Sequence, residues 1–374
     1  MSDTALEKSS ERVVLVSPKQ TRCSQIVKHI VFLFLGIEQL GHEVYVQNNW
    51  YTLCMQTIVG VLRGGPSREH DVSLKTGAAI LANLPEERFA VRDIYIDKQG
   101  QWHDRGRVTE PQRALRQIDV AFVGLHGEYG EDGEVQKLLE RFGVPYAGTD
   151  SFGSYLAMHK LMAKTRAKEA GLLTPESRYI ERAEDSAEAA GDVIRSFHQP
   201  VVVKPIGWGS SVGVSIVGGY APVLAAIEQL FADGAPSVLV EEHIRGKEAT
   251  TGVVENLRGE ALYALPSIEI IPPEDDFFSY DAKYSGETRE VCPGNFSRVA
   301  AEELQRAAKV MHRALGLRHY SRSDFIVTPK GIYYLETNTL PGLTTESLLP
   351  KSLAAVGVTF PDFLSHLVNL ALGR

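Results

Sequence analysis

Short apolar runs alternate with longer helix-like stretches along the chain from residue 58 onward. The first apolar run, Thr57–Leu62, predicts a strand that ends at Gly64 and Gly65. A helix is predicted for Ser67–Leu84, with Ser67 as its N-cap, and strands for Val91–Asp97 and Ile118–Leu125. Alternating strands and helices are typical of an α/β protein, so most other fold classes are excluded.

The same pattern continues to the C-terminus. Helices are predicted for Asp132–Phe142, which ends at Gly143, and for one long segment from about Asp150 to Ala170. The later predicted strands are Pro200–Pro205, Val212–Val217, Ser237–His243, Ala261–Ile271, Tyr320–Val327 and Ile332–Thr337. The later predicted helices are Pro222–Asp233, Ala300–Leu315, 346–356 and 360–372. A polar loop over 272–290 is long for a compact domain, and such loops are usually functional or disordered.

Length, charge and cysteine content exclude several classes of protein. The 374 residues suggest two or three domains, at ~150 residues per domain. The net charge of −8 gives no bulk attraction to nucleic acid or anionic lipid, so a phosphate site has to be built locally. Cys23, Cys54 and Cys292 are far apart and lack metal-ligand spacing, which predicts a reducing compartment.

No segment is long enough to span a membrane. The most apolar run, Ile30–Ile37, has eight residues, whereas a bilayer needs ~20. A buried helix is the preferred interpretation of this run.

A predicted hairpin near the C-terminus brings polar side chains together. Pro329–Gly331 is expected to form a three-residue loop. Thr328 then pairs with Ile332, and counting back along both strands pairs Asp324 with Glu336 and Arg322 with Asn338. Because side chains alternate along a strand, these four polar residues share one face.

The two opposed carboxylates of this hairpin indicate a cation. Like charges that face each other across a sheet repel, unless a cation lies between them. Asp324, Glu336 and Asn338 offer only oxygen ligands, which suits Mg²⁺ that holds nucleotide phosphates. A solvated polar sheet face is the alternative. Apolar side chains expected on the opposite face fit both interpretations: Phe325, Val327, Tyr333 and Leu335.

Three further motifs are ambiguous when each is taken alone. The loop Lys204–Gly213 has the exposed amides and hydroxyls of a phosphate cradle without Walker A spacing, but such loops often only connect strands. His126 follows a buried-looking strand, where α/β proteins place sites, although a structural histidine is equally consistent. Glu69 lies near a predicted helix N-terminus, where simple capping is the alternative.

Taken together, eight motifs resemble the D-alanine–D-alanine ligase family of the ATP-grasp superfamily. They occur in the family's order between about residue 57 and the C-terminus. The motifs are GGPSREHDVSL (64–74), LHGEYGEDG (125–133), MHK (158–160), KPIGWGSSVG (204–213), VEEHIRGKE (240–248), DAKY (281–284), RSDF (322–325) and LETNTLPGLTTESLLP (335–350).

This resemblance implies a fold and a domain plan. The expected class is α/β and α+β, an ATP-grasp fold in which an N-terminal α/β domain precedes two ATP-grasp subdomains. The expected segments are an extension over 1–56, a substrate-binding domain over 57–158, a central subdomain over 159–241 and a catalytic subdomain over 242–374. Residues 1–54 are foreign to the family, and we expect them to be dispensable, although they could add a strand-helix-strand unit.

The resemblance also implies a reaction. ATP phosphorylates the carboxylate of a first D-alanine, and the amine of a second D-alanine attacks the acyl phosphate. The dipeptide would serve peptidoglycan synthesis, cell-wall biogenesis and cell shape. The implied setting is a cytoplasmic homodimer that takes D-alanine and ATP, with Mg²⁺ or Mn²⁺, and no nucleic acid or membrane partner. The alternatives are an ester-forming ligase that takes a D-hydroxy acid second, and a non-catalytic ATP-binding homologue.

Residue roles follow from the resemblance position by position. Phosphate contacts are implied for Lys160, Lys204 and Lys283. Contacts with adenine and ribose are implied for Glu241, Ile244 (through its backbone) and Glu248, and a further nucleotide contact for Ser211. Metal ligation is implied for Asp324, Glu336 and Asn338, and oxyanion stabilisation for Arg322 and the Gly342 amide. Substrate contacts are implied for Glu69, His126, Ser347 and Leu348. Tyr284, Ser210 and Glu69 would form a hydrogen-bonded link that orients the 272–290 loop as a lid, and Tyr284 would accompany peptide rather than ester formation. Two positions depart from the family pattern, Trp208 in the phosphate loop and His159 before the lysine.

Overall fold

The computed structural model describes residues 56–209, 211–272 and 288–374. The chain divides into two units between Gln56 and Thr57, and the description that follows concerns the second. The predictions for residues 1–55 of the extension, including Ile30–Ile37, lie outside the described residues, as do those for residues 273–287 of the predicted lid and for Ser210, Lys283 and Tyr284.

The first sheet has six strands in the order β4-β3-β2-β1-β5-β6. Its parallel centre joins β1 to β2 and β5, and every residue of β5 is buried, as expected for a strand that is covered on both faces. The strands are β1 (Thr57–Gly64), β2 (Phe89–Ile96), β3 (Trp102–Asp104), β4 (Arg107–Thr109), β5 (Val120–Val123) and β6 (Tyr146–Ala147). The helices in this part are α1 (His70–Asn83), α2 (Pro111–Leu115), α3 (Glu134–Arg141) and α4 (Ser151–Met158).

The second sheet is antiparallel and has the order β7-β10-β8-β9. Its strands are β7 (Ser177–Glu181), β8 (Val201–Pro205), β9 (Ser215–Val217) and β10 (Ser237–Glu242). Helices α6 (Ser186–Ser196) and α7 (Tyr220–Ala232) pack with it around one apolar core. Helix α5 (Lys160–Glu169) precedes this sheet in the chain.

The third sheet has the order β14-β13-β11-β15-β16, with β12 paired to β11. Its strands are β11 (Lys247–Glu255), β12 (Leu262–Ala264), β13 (Ile268–Ile271), β14 (Arg289–Val291), β15 (Tyr320–Thr328) and β16 (Gly331–Asn338). The remaining helices are α8 (Arg298–Ala314), α9 (Leu348–Ala355) and α10 (Phe360–Ala371). Residues Phe363, Leu364 and Leu367 of α10 share a core with the first sheet, so the C-terminal helix packs back against that sheet.

Among the residues that the structure describes, no single helix is both long and apolar enough to cross a bilayer. Only α9 and α10 taken as a pair, bent by 104°, meet the requirement of length and composition.

Two helix predictions are wrong in detail. The single helix expected over Asp150–Ala170 is two helices, because His159 has an extended backbone with ψ of 94° and its ring accepts a bond from the Met162 amide. This break makes Lys160 the first residue of α5. Ser67 does not cap α1, which begins at His70; its hydroxyl instead donates to the His126 carbonyl and accepts from the Glu69 amide.

The hairpin prediction is partly confirmed. Asp324 pairs with Glu336, and Arg322 with Asn338, as expected. The three-residue loop is wrong, however, because Thr328 pairs with Gly331 and only two residues form the turn. A β-bulge after Asp324 supplies the missing residue on the other strand, so two deviations offset each other.

The bulge also changes which apolar residues share a face. The predicted register places Phe325 opposite Leu335, but in the structure Phe325 pairs with Tyr334. The two rings pack together in the core. Tyr333 instead pairs with Ile326, and Leu335 lines the same cavity as Glu336. Ile326 lies on the same face of β15 as Asp324, so the prediction that Tyr333 lies opposite the polar face is wrong.

Candidate active site

A cavity between the second and third sheets gathers most of the predicted site residues. Apolar side chains such as Ile216, Ile270 and Ile326 line one part of it, and charged side chains line the rest. The predicted site residues that line it are Lys160, Lys204, Ser211, Glu241, Ile244, Glu248, Arg322, Asp324, Glu336 and Leu348. An apolar slot beside a charged wall can accept a flat aromatic group with a phosphate tail.

Glu241 lies buried between two lysines at the wall of this cavity. Its Oε2 lies 2.8 Å from Lys204 Nζ, and its Oε1 accepts from Lys164 Nζ at 2.5 Å. Burial alone would raise the pKa of Glu241, but the two ammonium groups outweigh it and lower that pKa. Both carboxylate oxygens are thus engaged by lysines, whereas the expected partner of Glu241 was adenine or ribose.

Lys164 supports the cavity wall from behind, through Glu241, and the sequence reasoning missed it. It is 1% exposed, and burial lowers its pKa to about 8 despite the charge of Glu241. A signal was present, because Lys164 follows Lys160 by four residues on one helix and such residues lie on the same face. The charge partner itself is 77 residues away and could not be found that way.

The ion pair of Lys164 predicts an effect on stability. Changing Lys164 to Met leaves Glu241 Oε1 buried without its donor, and we expect the free energy of unfolding to fall by about 2 kcal/mol. Lys168→Met is the matched control, because Lys168 and its partner Glu176 are largely exposed and such pairs contribute about 1 kcal/mol or less. Denaturant titration of both variants checks this, and equal stabilities would contradict it.

The polar face of the hairpin is neutralised by basic side chains. Arg322 donates from Nε and NH2 to the two oxygens of Asp324 at 3.0 and 2.9 Å, and Thr250 donates to the same carboxylate at 2.5 Å. Lys160 Nζ lies 3.4 Å from Glu336 Oε2. The opposed carboxylates are therefore tolerated without requiring a metal between them, and the metal hypothesis rests on their oxygen-only chemistry.

Glu69 and His126 lie together at the C-terminal edge of the first sheet. Glu69 is the N-cap residue of α1, its side chain makes no capping hydrogen bond, and it is 9% exposed. A side chain added at Gly127 or Gly209 would come within 2.6 or 2.9 Å of Glu69 Oε2. Gly127 (φ +68°) and Gly209 thus permit the close approach of two loops to this carboxylate.

His126 is held in a buried polar network. Its Nε2 lies 2.7 Å from Thr76 Oγ1, and its Nδ1 lies 3.5 Å from Glu131 Oε1. Burial would lower its pKa, but the hydrogen bond and charge of Glu131, and then the charge of Glu69, raise it above the usual value. Glu131 and Glu69 thus both stabilise the protonated form of His126.

The segment after β16 carries the remaining predicted residues. Ser347 Oγ accepts from the Thr344 amide at 3.1 Å and lies 2.8 Å from its hydroxyl. A side chain at Gly342 would meet Ser347 Oγ at 2.8 Å, so only glycine fits there without a shift. Leu348 begins α9 and reaches the cavity. Asn338 lies opposite Arg322 on the polar face.

Comparison with known proteins gives the same result for both halves of the chain. A family described as D-ala D-ala ligase N-terminus matches residues 58–114 and 103–149, and one described as D-ala D-ala ligase C-terminus matches residues 167–369. A D-alanine--D-alanine ligase from Syntrophobacter fumaroxidans is 40% identical over 316 residues, which is 84% of this chain and 97% of that protein.

Solved structures confirm the expected fold. The D-alanine--D-alanine ligase from Bacillus anthracis complexed with ATP has a TM-score of 0.70 at 30% identity, covering 85% of this chain and 98% of that one. The VanG D-Ala:D-Ser ligase from Enterococcus faecalis has a TM-score of 0.74 at 29% identity, covering 84% and 99%. With both family halves matched in order and nearly the whole of a 40% identical relative covered, the chain belongs to the D-alanine–D-alanine ligase family.

Proposed function

We propose that this chain joins two D-alanines into D-alanyl-D-alanine at the expense of ATP, for peptidoglycan precursor synthesis in the cytoplasm. The observation that carries the proposal is the cavity in which an apolar slot, buried lysines and the Arg322, Asp324 and Glu336 face meet. ATP phosphates need cations, and adenine needs an apolar slot, so one cavity meets both needs.

Lys160 and Lys204 are the proposed phosphate ligands. Both ammonium groups are buried beside carboxylates, Lys160 near Glu336 and Lys204 on Glu241, so each is held in place before a nucleotide arrives. Preorganised cations stabilise the charge that develops on a transferred phosphoryl group. Ser211, Ile244 and Glu248 are the proposed contacts for the rest of the nucleotide, with Lys283 as a further phosphate ligand by family resemblance.

Mg²⁺ fits the oxygen set on the hairpin. Within residues 56–209, 211–272 and 288–374 no group of three or more His, Cys, Asp or Glu forms a complete metal site. Two carboxylates and an amide, Asp324, Glu336 and Asn338, are instead a partial set, as expected where nucleotide phosphates supply further oxygens. We propose that these three residues hold Mg²⁺, or Mn²⁺, which when bound neutralises phosphate charge.

The two amino-acid subsites are proposed on either side of the phosphates. The Glu69 carboxylate accepts the ammonium of the first D-alanine, with His126 beside it. Arg322 and the Gly342 amide stabilise the oxyanion of the tetrahedral intermediate. Ser347 and Leu348 receive the carboxylate of the second D-alanine at the start of α9.

Substrate profiling tests the proposal. Purified protein is supplied with ATP, Mg²⁺ and single or paired amino acids, and released phosphate and products are measured. We expect phosphate release to require D-alanine and to yield the D,D-dipeptide, while L-amino acids and D-lactate remain poor substrates. D-serine belongs in the panel because a similar structure is described as a D-Ala:D-Ser ligase. Efficient ester formation would establish the ester-forming ligase instead. ATP binding without turnover would establish the non-catalytic homologue.

A chain that begins at Met55 tests whether the ligase is complete without the extension. Family similarity begins at residue 58, and the described unit begins at Thr57. We expect this shortened chain to fold and to keep full ligase activity, measured as phosphate release per mole of enzyme. Loss of solubility or activity would show that residues 1–54 are needed. Sedimentation of both chains also tests the proposed homodimer.

A further inference from the structure

We propose that Trp208 is a positioning residue: Arg68 clamps its ring, and its carbonyl holds the Lys160 ammonium in place. This inference rests on the proposed function, because it assigns Lys160 to the nucleotide phosphates. Arg68, Trp208 and Lys160 come from three separate segments of the chain and are called the clasp below.

The first half of the clasp is a cation–π contact between the segment after β1 and the segment after β8. The Arg68 guanidinium carbon lies 4.0 Å from the centroid of the Trp208 ring. Arg68 belongs to the turn before α1, whereas Trp208 lies in the loop after β8. Arg68 also donates from NH2 to the Asp233 carbonyl at 3.0 Å, so the guanidinium is fixed in orientation over the ring. Tryptophan is the most favourable ring for a cation–π contact, and arginine is the cation found there more often.

The second half of the clasp joins the loop to α5. Lys160 Nζ donates to the Trp208 carbonyl at 2.7 Å, and the Lys160 amide donates to the Ile206 carbonyl at 3.3 Å. The lysine is 6% exposed, and its ammonium lies 3.4 Å from Glu336. The Trp208 carbonyl therefore fixes the position of the flexible Lys160 side chain, and Arg68 in turn restrains Trp208 by its contact with the ring.

The surroundings of the ring show that the loop is shaped for it. A side chain added at Gly213 would lie 3.3 Å from the Trp208 ring and 2.7 Å from Leu230. The ring also packs against the apolar core of the second sheet. Trp208 is thus wedged between that core and Arg68, and a smaller side chain would leave the loop backbone less restrained.

The clasp couples the two ends of the site. Arg68 is adjacent to Glu69, the proposed ligand of the first D-alanine, and Gly209 follows Trp208 and lies against the same carboxylate. Breaking the clasp should therefore weaken phosphate binding through Lys160 and disturb the first amino-acid subsite together. A residue that served only the stability of the core would not link these two effects.

A double-mutant cycle tests the coupling. Arg68→Gln, Trp208→Leu and the double variant are compared with the unmodified chain for ADP affinity by calorimetry and for kcat and KM with ATP and D-alanine. We expect each single change to weaken ADP binding and raise the KM for ATP about tenfold, with the double variant no worse than either single one. Arg195→Gln, an exposed arginine on α6, is the control and should leave all values unchanged.

Conservative variants separate the cation–π contact from simple space filling. Trp208→Phe keeps an aromatic ring and should retain most of the ADP affinity, whereas Trp208→Leu should not. Arg68→Lys keeps the charge but loses the planar guanidinium. Its ADP affinity should lie between that of the unmodified chain and that of Arg68→Gln. The fluorescence emission of Trp208 is obtained by subtracting the spectrum of Trp208→Phe from that of the unmodified chain. Its emission maximum should shift when Arg68 is changed to Gln.

Two different outcomes overturn two different proposals. Additive effects of the two changes on ADP affinity, or an unchanged KM for ATP in Arg68→Gln, would overturn the clasp. The proposed function would still hold if the unmodified enzyme is active. An unmodified chain that binds ADP but forms no dipeptide would overturn the proposed function. In that case the cycle in ADP affinity still decides whether the clasp exists.

Discussion

Replacing Glu336 with Gln is expected to lower turnover about 100-fold and to raise the Mg²⁺ concentration needed for half-maximal activity. Glu336 faces Asp324 across the hairpin and lies 3.4 Å from Lys160. The amide keeps the shape of the side chain but removes one of two carboxylate charges from the proposed metal set. The same change removes the anionic partner of Lys160, so phosphate binding weakens as well.

A magnesium titration of initial rates measures this effect. Part of the lost activity should return at high Mg²⁺, because the remaining ligands still bind the ion at higher concentration. Glu302→Gln on the exposed face of α8 is the control, since that carboxylate has only a loose contact with Arg298. An unaltered Mg²⁺ dependence in Glu336→Gln would remove the hairpin from the metal site.

Replacing Arg322 with Lys is expected to lower kcat by about 100- to 1000-fold, the usual cost of losing one oxyanion donor. Two hydrogen bonds to Asp324, from Nε and NH2, orient the Arg322 guanidinium. The third guanidinium nitrogen, NH1, can then donate to another partner. Lysine keeps the charge but lacks the planar fork, so it cannot hold Asp324 and reach the oxyanion in one geometry.

Steady-state kinetics distinguish this variant from the metal variant. The KM for ATP should change little in Arg322→Lys, and added Mg²⁺ should restore no activity. Arg313→Lys, at an exposed arginine in the last turn of α8, is the matched control. A kcat within a few-fold of the unmodified enzyme would show that Arg322 only neutralises Asp324.

The hairpin shows how far local sequence reasoning extends. Strand periodicity and one turn motif were enough to place Asp324 opposite Glu336. The turn length was nevertheless wrong, and a bulge compensated for it. Counting along two strands predicts a register only when every residue is paired, and a bulge leaves no mark in residue type that would reveal it.

The interruption at His159 has a similar origin. Residues 150–170 contain no proline, so propensity predicts a continuous helix. The backbone instead turns at His159, and both the amide and the ammonium of Lys160 bind the loop after β8. A tertiary contact therefore overrides the local helix propensity directly before Lys160, the proposed phosphate ligand.

The sequence by itself determined the fold class, the family and the types of chemical group available, because these depend on periodicity and on motifs contained within single segments. Only the tertiary structure decided which groups neutralise each other. Lys164 meets Glu241 across 77 residues, Arg68 meets Trp208, and Arg322 and Lys160 take the carboxylates of the hairpin. A buried charge is stable only beside a partner, and that partner comes from whichever segment the packing of the sheets brings near, which residue spacing along the chain does not encode.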